Sequence, residues 1–215
     1  MSDSKKGEAR VKMLTVGPVA TNCYVLYREG ADVCAVIDPG ASGDRIAEFL
    51  KKEGLRPEVI LLTHGHFDHY EGVPELTARM GGKVYILDKE KELISDPHMN
   101  GSLGLMGNGS AIEPEFTVRD GEVLSAAGFD FKVIHTPGHT GGGCCYYVED
   151  EDLLFAGDTI FMESIGRTDL PTGNMREILD SIREKILTLP DQTRIMPGHG
   201  PVTDVAYETA NNPYA

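Results

Sequence analysis

The chain has 215 residues, 40% of them hydrophobic, with 20 Lys and Arg against 34 Asp and Glu and a formal net charge of −14. That apolar content supplies a sizeable core, while the negative balance repels phosphate backbones and makes nucleic acid a poor partner. No apolar run approaches the roughly 18 residues that span a bilayer, and "MSDSKKGEARVKML" has neither an apolar signal core nor the Arg/Ser-rich, acid-poor composition of a transit peptide. No membrane partner and a cytoplasmic location are the expectations. Cys23, Cys34, Cys144 and Cys145 contain no CxxC pair, so they read as reduced, buried thiols rather than as a disulfide framework or a zinc knuckle.

In chain order, "VKMLTVG", "NCYVLYR" and "DVCAVIDPG" read as three short strands separated by turn residues. "SGDRIAEFLKKEG" reads as a helix capped by Ser42 and ended by Gly54, with Ile46, Phe49 and Leu50 on one face. "EVILLTHG" is a continuous apolar strand of the fully buried kind, followed by a short helix in "VPELTARMGG" and a strand in "KVYILD". Ser95 to Pro114 has no clear period and reads as a long loop. It is either a binding loop or lid, or a surface loop that tucks Leu103, Leu105 and Met106 inward.

The second half repeats the style. "FTVRDGEVLSAAGFDFKVIHTPG" predicts strands joined by tight turns at "RDG" and "AAG", and "CCYYVED" with "DLLFAGD" predicts a hairpin. "GNMREILDSIREKILTLP" predicts a helix with Asn174 as cap, Glu177 completing a capping box, and Ile178, Ile182, Ile186 and Leu189 on the apolar face. A strand in "TRIMPG" and a short terminal helix follow. With no repeat and no low-complexity linker, residues 1–215 read as one domain, and two β-rich halves with interspersed helices predict a four-layer αββα sandwich.

The chemistry concentrates in "LLTHGHFDHYEG", where His64, His66, Asp68 and His69 follow a buried strand directly. Ligands in α/β architectures bind beyond the carboxyl ends of strands. Three imidazoles and a carboxylate in six residues are hard to explain by packing, because buried imidazoles need partners and protonated ones repel. The same design of a strand running into a polar loop recurs at His139 in "FKVIHTPGHTGGG", Asp158 in "LLFAGDT" and His199 in "RIMPGHG", each preceded by glycine. Five of the seven histidines therefore occupy strand-end loops, which points to a metal centre of Zn, Fe or Mn type. His135 reads as a packed strand residue, and His98 carries no interpretation.

"THGHFDH", "HTPGHT", "FAGDT" and "PGHG", in this order, resemble the signature of the metallo-β-lactamase-fold hydrolases, and within them the glyoxalase II (hydroxyacylglutathione hydrolase) group. "FMESIGRTDLPTGN" and the terminal "NNPYA" are similar to a short bacterial subgroup of that group. The resemblance implies two divalent ions, zinc first with iron or manganese as alternatives. One would be held by His64, His66 and His139, the other by Asp68, His69 and His199, with Asp158 bridging. Aspartate rather than cysteine at the bridging position speaks against a zinc β-lactamase. The implied reaction is hydrolysis of a small-molecule thioester, S-D-lactoylglutathione or a related hydroxyacyl-thiol, by a hydroxide between the ions. Asp68 would have the added catalytic role of orienting that hydroxide or taking its proton. Arg167 corresponds to a basic residue that contacts glutathione in the group, and a salt bridge to Asp169 is the alternative reading. Classical members carry a helical C-terminal domain with further cationic glutathione contacts. This sequence ends shortly after His199, so another acyl-thiol is the alternative substrate.

Two further readings share these motifs. A persulfide dioxygenase would use one iron on His64, His139 and Asp158. A non-enzymatic metal-binding or interaction domain would not need so full a ligand set. The acidic balance and the lack of a basic arm speak against a phosphodiesterase acting on nucleic acid.

Overall fold

The computed structural model describes residues 7–107 and 109–215. Strands β1 (Ala9–Val16), β2 (Thr21–Arg28) and β3 (Val33–Ile37) form an antiparallel meander. Helix α1 (Gly43–Glu53) crosses over to β4 (Arg56–Leu61), which runs parallel to β3. The short α2 (Phe67–Tyr70) and then α3 (Val73–Met80) lead to β5 (Lys83–Leu87), parallel to β4. After α4 (Lys91–Ser95) and α5 (Ser102–Met106), β6 (Phe116–Val118) completes a six-stranded sheet in sequence order.

The second sheet takes up β7 (Val123–Ala126), β8 (Phe129–His135), β9 (Cys144–Val148) and β10 (Leu153–Gly157) as an antiparallel series. A two-stranded hairpin, β11 (Ile160–Phe161) and β12 (Ser164–Ile165), and helix α6 (Met175–Ser181) intervene before β13 (Arg194–Pro197). β13 pairs parallel to β10, and β14 (Thr203–Asp204) and helix α7 (Val205–Asn211) close the fold. The sheet order is β14-β13-β10-β9-β8-β7.

Strand alternation sorts the apolar residues into three cores. In β2, Tyr24 and Leu26 face the opposite sheet while Cys23 and Val25 face α1 and α3. In β9, Cys144, Tyr146 and Val148 face the opposite sheet while Cys145 and Tyr147 face α6. Strands covered on both sides need no polar face, which is why these segments read as unbroken apolar runs. Adjacent Cys144 and Cys145 thus point to opposite faces, and all four cysteines are free and buried. The result is the αββα sandwich that the pattern predicts.

Several local features depart from expectation. Ser42 precedes α1 in a left-handed conformation (φ 54°) and makes no side-chain cap, because capping needs an extended backbone at that position. Asn174 does cap α6, accepting from the Arg176 and Glu177 amides at 3.0 and 3.3 Å. Its own N–H donates to the Gly138 carbonyl at 2.7 Å, so Glu177 has no donor to reach back for and the box is half formed. The "RDG" turn carries the chain from the first sheet to the second instead of closing a hairpin.

The Ser95–Pro114 segment is not one long loop, since α5 lies within it. Leu103 is exposed rather than tucked inward, and the side chains of Leu105 and Met106 lie outside those described. The anchor is Asn100, fully buried, whose side chain donates to the Ile94 and Ser110 carbonyls.

Candidate metal centre

The parallel strands direct their carboxyl ends to a common edge. β4 delivers His64 and His66, the turn into α2 delivers Asp68 and His69, β10 delivers Asp158 and β13 delivers His199, while the β8–β9 loop brings His139. Three sets of ligand atoms each lie within 4.8 Å of one another: His64, His66 and His139; His64, His69 and Asp158; and Asp68, His69 and His199. All seven residues singled out from the motifs are brought together. Asp158 stands between the outer sets, with Oδ2 3.6 Å from His139 Nε2 and 3.5 Å from His199 Nε2, and Oδ1 3.3 Å from His69 Nε2. Asp68 Oδ2 lies 3.2 Å from His199 Nε2. Approach this close excludes side chains nearby: a Cβ at Gly198 would fall 2.1 Å from Asp158 Oδ1 and 2.7 Å from His69 Cε1.

Electrostatics divide the cluster. Burial holds the His64 imidazole well below its usual pKa, reinforced by His69 and His139, and holds His66 down to about 3 with help from His139. His69 goes the other way: burial opposes protonation, but Asp158, Asp68 and Asp38 outweigh it and push the pKa well up. Burial would raise Asp158 and Asp68, yet His69 and its neighbours keep both carboxylates low. His64 and His66 are therefore neutral, with lone pairs available beside ionised carboxylates, whereas His69 and His199 would release a proton to a cation; metal ligation by imidazole and carboxylate suits borderline divalent ions.

The fit is tested by the atoms themselves. Nε2 of His64, His66 and His69 and Oδ1 of Asp158 are buried and make no hydrogen bond. Each such orphan costs roughly 1–3 kcal/mol, and three of these residues, His64, His69 and Asp158, form one of the ligand sets, which a shared cation would satisfy.

Groups behind the cluster orient it. Asp38, at the end of β3 and 2% exposed, accepts from the Thr63 amide and hydroxyl at 2.8 and 2.7 Å, and its Oδ2 is 2.9 Å from His69 Nδ1. That leaves His69 Nε2 facing the cluster. The His139 Nδ1 donates to the Arg167 carbonyl at 2.7 Å, and Thr21 donates to Asp68 Oδ2 at 3.0 Å. The motif reading passed over Asp38 and Thr21. Asp38 carried a usable signal, since "VIDPG" is another strand running into a Pro-Gly turn; Thr21 carried none. His135, at the end of β8, contacts the Gly141 carbonyl through Nε2 and stays apart from the seven.

A cavity of about 390 Å³ opens onto the cluster. His66, Asp68, His139, Asp158 and His199 form its floor, and Val19, Phe67, Phe161, Ile165 and Leu170 supply apolar walls. Asn100 and Gly101 bring the Ser95–Pro114 segment into the wall. Arg167 also lines it, but the guanidinium is engaged edge-on by Asp169, Nε to Oδ1 and Nη2 to Oδ2, both at 2.7 Å. The salt bridge weighed from the sequence is thus formed, on a residue that also lines the cavity. No helix among the described residues is long and apolar enough to cross a membrane.

Two sheets between helices, with overlapping candidate ligand sets at their common edge and a small-molecule cavity above, are the architecture of a metal-dependent hydrolase of the αββα class. The sequence profile of the metallo-beta-lactamase superfamily matches residues 16–199, and the chain belongs to that superfamily. It is similar to the probable metallo-hydrolase YqgX of Bacillus subtilis, at 41% identity over 94% of this chain and 96% of that one. It is likewise similar to the hydroxyacylglutathione hydrolase GloC of Haemophilus influenzae, at 32% identity over 95% and 97%. Among solved structures, the BLEG-1 B3 metallo-beta-lactamase superposes with a TM-score of 0.91 at 39% identity, covering 95% of this chain and 99% of that one. TTHA1623 in a di-iron-bound form superposes at 0.81 and 31%, covering 95% and 100%.

Proposed function

We propose that this chain is a binuclear metal-dependent thioester hydrolase of the glyoxalase II kind, acting on S-D-lactoylglutathione or a related hydroxyacyl-thiol. The observation that carries the reading is the pair of ligand sets meeting at Asp158 beneath a cavity with apolar walls. His64, His66 and His139 would hold one ion, Asp68, His69 and His199 the other, and Asp158 would touch both. Likeness to GloC over nearly the full length of both chains supports the substrate class, and likeness to a di-iron form supports two ions with iron beside zinc and manganese as candidates. The Asp68–His69–His199 set, which a one-iron persulfide dioxygenase would leave idle, favours hydrolysis over that reading.

Ions bound there supply Lewis acidity and bring the pKa of water toward neutrality. The remaining work falls to the chain. Asp68 faces the cavity, kept ionised by His69 and His199, and would orient a water and take its proton. Val19, Phe161 and Leu170 receive the apolar part of the acyl-thiol and exclude bulk solvent. The leaving thiol, with a pKa of about 8.5, departs as thiolate without a general acid, so the lack of an extra acid in the cavity is no obstacle. Arg167, the one Lys or Arg among the described residues that line the pocket, would meet a substrate carboxylate by opening its pair with Asp169.

A second reading is hydrolysis of a β-lactam, favoured by the likeness to BLEG-1. The same assay decides both: purified protein of measured metal content, S-D-lactoylglutathione, a small uncharged thioester and a chromogenic cephalosporin in parallel. Thioester turnover abolished by chelation and restored by a divalent ion is expected. Turnover of the cephalosporin alone would replace the thioester reading, and full activity without metal would end it.

A further inference from the structure

We infer that Glu90 is a positioning residue that locks the two loops of the three-histidine set together; the inference rests on the binuclear reading above. Glu90 closes a single 3₁₀ turn, Asp88–Glu90, directly after β5, the parallel neighbour of β4. Its carboxyl end therefore emerges beside the His64–His66 loop. The side chain is 1% exposed, has no Lys, Arg or His as ion-pair partner among the described residues, and is not one of the groups that face the cavity. A carboxylate buried without a cation needs a specific reason to be there.

Its contacts give the reason. Oε1 accepts from the Gly65 amide at 3.1 Å, the residue between His64 and His66. Oε2 lies against Gly142 in the loop that starts at His139, where an added Cβ would fall 2.3 Å from Oε2 and 2.6 Å from the Glu90 nitrogen. Burial raises the carboxyl pKa, and the Gly65 amide bond opposes that rise. One side chain thus accepts a hydrogen bond from the loop bearing His64 and His66 and packs directly against the loop bearing His139. The packing agrees independently. A Cβ at Gly65 would come within 2.9 Å of Leu93 and Ile94, which follow Glu90 in α4. The 88–95 segment is a wedge, and each ligand loop presents a glycine to it.

The test compares wild type with Glu90→Ala, Glu90→Gln and, as control, Glu208→Ala. Glu208 is as deeply buried, but it pins α7 to Glu163 and Asn212, away from the ligand loops. Each protein is loaded with zinc and desalted, and metal per chain is measured together with the affinity of each site and the circular dichroism. Wild type should hold two ions. Glu90→Ala should hold about one, its three-histidine site weakened about 10- to 100-fold. Glu90→Gln should fall between, because its amide oxygen still accepts from Gly65. Glu208→Ala should melt earlier yet keep two ions. Folded Glu90→Ala with two ions at wild-type affinity overturns the inference, as does equal metal loss in Glu208→Ala. If Glu90→Ala does not fold, Glu90→Gln decides: a weakened first site supports the role and an unchanged one overturns it. A wild type holding a single ion would end the binuclear reading, and Glu90 then stands or falls on whether its removal weakens that ion.

Discussion

Asp158 and His199 occupy unequal places in the cluster. Asp158 contacts histidines of both outer ligand sets, whereas His199 belongs to one of them, beside Asp68 and His69. Asp158→Ala should therefore lower occupancy of both ions, and His199→Ala of one. Metal content per chain checks this, and equal losses would contradict the bridging geometry. Arg167 and Asp169 offer a second measurement. Their hydrogen-bonded pair holds the Asp169 carboxyl down to about 2, against an ordinary value near 3.9. A depressed carboxyl contributes stability that is present above the ordinary value and lost as pH falls toward the folded one. Both groups are exposed, so the contribution is small. NMR titration should place Asp169 near 2 in the wild type and return it to the ordinary range in Arg167→Ala.

Helix α6 shows how one element supports another's ligand. The Asn174 side chain caps the helix while its amide holds Gly138, the residue before His139. Ile178, Ile182 and Ile186 are fully buried beneath the second sheet, the last two within a wider π-turn that extends the helix. Asn174→Ala keeps the backbone contact to Gly138 but removes the cap, which costs about 1 kcal/mol. In a chain of this size that lowers Tm by about 2–4 °C. Thermal melts should show that shift with metal content unchanged; a loss of metal would mean the cap also fixes His139.

For the molecule as a whole, ligands from both sheets meet at one edge, so an ion bound there ties the two halves of the sandwich together. Binding to the folded chain alone stabilises by RT ln(1 + [L]/Kd), about 2.7 kcal/mol per site at a hundredfold excess over Kd. Chelation should lower Tm by several degrees, and titrating a divalent ion back should raise it continuously with free metal concentration. A Tm indifferent to metal would contradict occupancy at this edge. The net charge of −14 adds to the effect, since bound cations offset self-repulsion.

The sequence by itself determined the layers and the floor of the site. Period-2 apolar strands, period-3.6 helices and Pro-Gly or Gly turns are local signals, and His64 to His69 are neighbours in the chain. The strand-end position of His139, Asp158 and His199 was legible for the same reason, because a strand running into a glycine turn is written in consecutive residues. Tertiary structure alone decided what lies between those loops. Asp38 and Glu90 act through atoms 25 residues away at Thr63 and Gly65 and 31 residues away at His69, and no local pattern encodes a pairing across parallel strands. The pairing of Arg167 with Asp169 was weighed from sequence, but choosing between it and a free cation took the side-chain geometry. Spacing along the chain states which groups are available; the register of β3, β4 and β5 sets which of them meet.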